Sequence, residues 1–433
     1  MPVFPKYTTV DLKDNQLSHE PFFGFFYLGF CQHLASCFVF QQVAYFNSVL
    51  GGSFGTLLNI CLCLADNLGL ALMVRFGSGL NFRTRIAFSA ICSTFLLVAL
   101  PYVAASGFRF KIGYALCFVM LMGVCGSVFH GTVSGLTGLC SEKARSFQNL
   151  GASLPGTLAW PVMLVVNTFF SMIGWTRSSI DEVTTYGGLI LAAVVLCCVI
   201  PYYVLYFERT RAVQVALANK EIVADDDSSN GPRSKGSIIL STLPLAVAAW
   251  AVTFLSYIVI PDQVLEWKSE KYAHLYPGGD LAVQDMHIYV FQLFDTLGRF
   301  SIILKPDMFG PVSTMIGAWS RLLLLPLFYL SSGNVSFFGF DFFRLILNST
   351  WGFSSGVFIS LACNQGPNQV ASNEGDIAGQ TMSFAAENGV LMGSAVALAI
   401  RHIGNLVSNW TKNRQECLIG KNFTLVCVPN HNI

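Results

Sequence analysis

The sequence predicts an all-α polytopic membrane protein of eleven transmembrane helices, arranged as two bundles of six and five. Three observations carry that expectation. Of the 433 residues, 53% are hydrophobic and only 11% charged, against roughly 25% charged in an ordinary soluble domain. Apolar stretches of about 20 residues, the length a helix needs to cross a bilayer, recur along the whole chain. One long polar connection divides them into two groups.

Residues 1–21 are polar and lack the apolar core of a cleaved signal peptide, so they form an N-terminal segment before the first span. Spans follow approximately at 22–46, 54–76, 85–105, 112–138, 150–173 and 185–206, which together make a first bundle over 22–206. The connection 207–236 contains Asp225-Asp-Asp-Ser-Ser-Asn-Gly-Pro-Arg-Ser-Lys235, polar and rich in turn formers, and reads as a flexible linker. The second bundle, 237–404, takes spans at 237–260, 284–304, 310–331, 340–363 and 378–404, and residues 405–433 form a polar tail.

An odd number of spans puts the termini on opposite sides. More Lys and Arg fall on one side of the membrane, among them Arg75, Arg83, Arg145, Arg209 and Lys305, than on the side of Arg109, Lys111 and Lys268. By the positive-inside rule the N-terminus is cytosolic and the C-terminus extracellular, with the plasma membrane as the default location. The glycosylation triplets at Asn334, Asn409 and Asn422 then land outside, whereas the one at Asn348 falls inside a span and reads as chance. Cys417 and Cys427 lie outside too, where a disulfide could form.

Composition also excludes classes. A net charge of +1 without a basic stripe offers nothing to a phosphate backbone, so no nucleic-acid partner is expected. The 13 cysteines stand singly in apolar runs, with no CxxC or Cys/His spacing that would hold a metal. No HExxH, no G-x-S-x-G in a plausible context and no facing aspartate pair suggests an enzyme.

Charged and polar residues inside the spans remain as candidates for a site. The segment His287-Ile-Tyr-Val-Phe-Gln-Leu-Phe-Asp-Thr-Leu-Gly-Arg-Phe-Ser-Ile-Ile303 carries Asp295 and Arg299 four residues apart, on one helix face with Gln292 one turn earlier. Each charge in a span costs about 2.5–3.5 kcal/mol on insertion scales unless it is paired and turned inward. His130 lies in the fourth span with Gly126 and Ser134 one turn to either side, and its imidazole can both donate and accept. Glu387, in the last span beside Val390, either faces a central cavity or is buried as the neutral acid, which makes it a candidate proton site. Asp66-Asn67 and Arg321 suit interhelical bonds or gating better than ligand contact. Gly131, Gly135, Gly138, Gly389 and Gly393 suit close helix packing.

The Asp-Thr-Leu-Gly-Arg run at Asp295–Arg299 resembles the D-x-x-G-R motif of the equilibrative nucleoside transporter family, whose members have eleven helices and a cytosolic N-terminus. Other stretches are similar in family order: Phe129–Gly138, Arg321-Leu-Leu-Leu-Leu-Pro-Leu-Phe328, Ser354-Ser-Gly356, Gly366-Pro-Asn-Gln-Val370, Ala378-Gly379 and Gly389–Gly393. Two positions depart from the family pattern. Ser36 and Cys37 stand where it has Trp-Asn ahead of Tyr45-Phe46, and His130 stands where it has glutamine. The resemblance implies a major-facilitator-like fold and alternating-access transport of purine nucleosides, and nucleobases too, by facilitated diffusion. A proton-coupled symporter of nucleobases or another small polar solute is the alternative. Asp295 would accept from ribose hydroxyls, Arg299, Gln292 and His130 would meet the base, and Gly126, Ser134 and Val390 would complete the wall. No cofactor is implied, and the partners are the solute and the lipid bilayer, with the chain as a monomer.

Overall fold

The computed structural model describes residues 21–51, 54–77, 81–226, 233–260, 267, 280–332, 338 and 340–419. The described residues form helices and their connections, without a strand. The first half comprises α1 (Phe22–Gln41), α2 (Val43–Leu50), α3 (Phe54–Phe76), α4 (Phe82–Ala105), α5 (Lys111–Gly138), α6 (Glu142–Met172) and α7 (Arg177–Leu205). After α8 (Arg211–Asp226) the second half comprises α9 (Lys235–Val259), α10 (Asp280–Leu304), α11 (Pro311–Ser320), α12 (Leu325–Ser332), α13 (Asp341–Gln365) and α14 (Gly375–Ile419).

Among the described residues, ten helices are long and apolar enough to cross a membrane. The eleventh expected span is present as the 25-residue helix α10 but is not among the ten. His287, Gln292, Asp295 and Arg299 lower its hydropathy. Large apolar side chains point outward at helical spacing, Leu57, Ile60, Leu64, Leu68 and Leu72 along α3 and Phe88, Ile91 and Phe95 along α4, as lipid-facing surfaces require. Polar caps mark where helices emerge: Asn81 accepts from the Arg83 amide, Ser141 from Ala144, Thr176 from Ser179 and Ser234 from Ser237.

Four details differ from expectation. The span 22–46 breaks at Gln42, whose buried side chain accepts from Thr185 Oγ1 at 2.8 Å, so a tertiary bond replaces the local helical geometry. The span 310–331 narrows to a 3₁₀ turn at Arg321–Leu324, because Pro326 cannot donate to the carbonyl one turn back. The supposedly flexible linker is an α-helix over Arg211–Asp226. The last span runs on as helix to Ile419, beyond the expected end at 404. Asn334, Asn422 and Cys427, and the side chains of Asn409 and Cys417, lie outside what is described. Asn348 is fully buried and donates to the carbonyl of His287, which keeps it from glycosylation.

In the first half, α1 packs on α6, α3 and α4 on α5, and α4 on α7, around one apolar core that runs from Phe25 to Val213. In the second half, α9 packs on α14 and α10 on α13 around separate patches, such as Leu245, Ala249 and Met382, or Phe328, Leu347 and Trp351. The halves meet where α14 lies against α3 and α5 and where α10 lies against α6. Glycine permits those approaches. A Cβ at Gly138 would strike the carbonyl of Gly375, and one at Gly379 the carbonyl of Ser134.

Candidate functional site

The contact of α10 with α6 carries the acid–base pair. Arg299 Nε donates to Asp295 Oδ2 at 2.7 Å, and an Arg299 terminal nitrogen donates to the carbonyl of Asn149 in α6 at 3.2 Å. Asp295 is buried and Arg299 half-buried. Gln292 places its amide against Gly156 of α6, where a Cβ would meet it. Thr157 of α6 donates to the Gln292 carbonyl at 3.1 Å and lies 2.8 Å from Thr296 Oγ1. The spacing that selected Asp295 and Arg299 thus yields a paired couple at the seam between the halves.

A second polar group faces it from α1, α5 and α14. His130 Nδ1 is 3.6 Å from Glu387 Oε1, His33 Nε2 is 4.0 Å from the same oxygen, and the two imidazole rings are 4.8 Å apart between centroids. Asn67 of α3 holds the backbone there, donating to the Glu387 carbonyl at 3.1 Å and accepting from Asn388 at 3.2 Å.

A narrow cleft opens beside this group, lined by Gln32, His33, Asp66, Gly126, His130 and Glu387 among others; its free interior is about 20 Å³, a water-sized space. Gly126 leaves open space where a side chain would stand. Ser134 does not border the cleft; it accepts from Gln148 at 3.0 Å, and the same Gln148 amide nitrogen donates to Gln32 while its oxygen accepts from Thr137. Val390 is half-buried on α14 one turn past Glu387, also outside the lining. Gly389 and Gly393 pack against α9, where a Cβ would meet Trp250 and Phe254 carbonyls.

Arg321 is a scaffold residue. It is buried, donates to the Val252 carbonyl, Ser256 Oγ and the Trp351 carbonyl, and stacks 4.1 Å above the Trp351 ring. Sequence reasoning missed His33 and the polar face of α6. His33 is an ionisable residue in an apolar span, the same signal that selected His130. Gln148 and Asn149 lie at the edge of the fifth span, where polar side chains carry no signal of their own.

A membrane-spanning helical protein with two bundles and polar groups at their seam has the architecture of a major-facilitator transporter. Solved structures agree on the fold. The proton:xylose symporter XylE bound to a bromo-deoxy-glucose is 12% identical with TM-score 0.55, the alignment covering 90% of this chain and 89% of that one. FucP in an outward conformation is 12% identical with TM-score 0.56, covering 90% and 92%. No curated protein matches by sequence. The family described as Nucleoside transporter matches residues 116–402. The chain belongs to that family, and it is a multi-pass membrane transporter.

Proposed function

We propose that this protein moves purine nucleosides, and nucleobases too, across the membrane by facilitated diffusion, its two bundles (22–206 and 237–404) rocking about the seam. The observation that supports this most is the Asp295–Arg299 pair, held at the α6–α10 contact between the two halves. A nucleoside presents a flat ring with donor and acceptor edges and a ribose with hydroxyls. Asp295 offers an acceptor for hydroxyls, Arg299 and Gln292 offer donors, and His130 offers both across the cleft. Gly126 leaves room for the ring. In this reading Val390 and Ser134 support the wall from behind, Glu387 faces the solute, and the chain works as a monomer in the plasma membrane with its N-terminus cytosolic.

The test is uptake of labelled adenosine and hypoxanthine into proteoliposomes, for wild type and Asp295→Asn, with and without an imposed proton gradient. Saturable uptake that unlabelled purine competes away, that ignores the gradient and that collapses in the variant is the expected result. Accumulation driven by the gradient would replace facilitated diffusion with symport. Absence of purine flux in the wild type would overturn the substrate, and intact counterflow in Asp295→Asn would reduce the pair to scaffolding.

A further inference from the structure

We propose that His33, His130 and Glu387 form a binding site for a divalent transition metal of the zinc class, which ties the two bundles together. The donor atoms of the three side chains, His33 Nε2, His130 Nδ1 and a Glu387 carboxylate oxygen, all lie within 4.8 Å of one another. His130 and Glu387 approach to 3.6 Å. Ligands of a tetrahedral zinc ion sit about 2.0–2.2 Å from the metal, so donors around one ion are separated by roughly 3.3–3.6 Å. The pair His130–Glu387 already meets that spacing, and His33, at 4.0 Å from Glu387 and within 4.8 Å of His130, needs a shift of about 1 Å toward them.

The chemistry of the donor set selects the ion. Two neutral imidazoles and one carboxylate suit zinc and its neighbours, whereas magnesium and calcium favour oxygen ligands. Three protein ligands with the cleft beside them leave a fourth coordination position open to water. Asn67 of α3 holds the Glu387 backbone in place through its carbonyl. His33 comes from α1, His130 from α5 and Glu387 from α14, so the ligands belong to both halves. A metal bound to all three would favour the arrangement in which α14 lies against α1 and α5, and would hold back any motion that parts them. Binding itself does not depend on which solute the protein carries.

The experiment is calorimetric titration of the purified full-length protein in detergent at neutral pH with zinc chloride, repeated with magnesium chloride. The expected result is one zinc site per chain, no magnesium site, and at least tenfold weaker zinc binding in His33→Ala and in Glu387→Gln. His33→Cys, which restores a zinc ligand, should bind within a few-fold of wild type, and removal of the exposed His402 by His402→Ala should change nothing. Zinc should also slow uptake by wild type and His33→Cys, each relative to its own metal-free rate, and spare His33→Ala. Equal zinc affinity in wild type and His33→Ala, or a site lost only in His402→Ala, would overturn the proposal. Thermal melting of each variant without metal separates a lost ligand from a lost fold.

Discussion

Asn364 provides the sharpest test of how the two bundles are held together. It is fully buried in α13, accepts from the Asn149 amide of α6 at 3.2 Å and donates to Ser146 Oγ at 2.6 Å, so one side chain closes two bonds across the seam. Asn364→Leu keeps the forked side-chain shape and removes both. The Asn149 amide is then buried without its acceptor, at about 1–3 kcal/mol, while the Ser146 hydroxyl keeps its bond to the Glu142 carbonyl. The middle of that range gives about 2 kcal/mol against the joined arrangement, roughly a 30-fold shift in population, because water satisfies the amide once the bundles part. Spin labels at exposed Arg83 and Lys305, on the same end of the molecule but in different bundles, would read the shift as a new population at longer distance. Asn149→Leu/Asn364→Leu removes donor and acceptor together and should shift the population less than Asn364→Leu alone. A distance distribution unchanged by Asn364→Leu, or a double variant as strongly shifted as the single, would refute this account of the seam.

Two stability predictions follow from the same interfaces. A Cβ at Gly356 would strike the Asp295 carbonyl, so Gly356→Ala forces α13 away from α10 and should lower the melting temperature of the purified protein by the equivalent of about 1–3 kcal/mol, the usual cost of overpacking; Leu323→Ala, at a side chain 79% exposed, serves as the neutral control. Arg321→Met loses three bonds from a buried guanidinium and its stacking on Trp351. At about 1.5–3 kcal/mol for each charged hydrogen bond, the loss is about 2–4.5 kcal/mol even with half recovered, and the yield of folded protein should fall.

Hydropathy made most spans legible because a bilayer imposes both length and composition on them. The exception in composition, α10, was legible for another reason: charges at Asp295 and Arg299 in an apolar run have to be paired, and the four-residue spacing says with whom. The interruption at Gln42 was not legible, since neither Pro nor Gly marks it and its cause is Thr185, far away in α7. The interruption at Arg321–Leu324 carried a local sign in Pro326, which was read only as part of a family motif. Helix α8 was hidden by the weight given to Asp225–Lys235, although Arg211–Ala224 lacks both Pro and Gly. The meeting of His33, His130 and Glu387 could not be read from spacing at all, because three separate helices supply one residue each.

The proposed rocking of the two bundles fits the partition of apolar and polar contacts. Each described apolar core stays inside one half: the large one runs from Phe25 to Val213, and those of the second half begin at Ile238 or later. The hydrogen bonds and closest glycine approaches described across the seam join polar or small residues. Arg145 donates to Asn368 at 2.5 Å, Asn149 to Asn364, Asn388 to Asn67, and Thr157 meets Thr296, while Gly135 and Gly138 face Asp376 and Gly375. Parting such a surface exchanges hydrogen bonds with water instead of exposing a core, and each exchange costs only about 0.5–1.5 kcal/mol net. An apolar seam of the same extent would cost about 25 cal/mol for every Å² exposed and would lock the protein in one state. The polar residues of α5, α6, α13 and α14 would therefore do more than define a site: in the proposed transport cycle they would keep the two arrangements of the bundles close enough in free energy for a bound solute to shift between them.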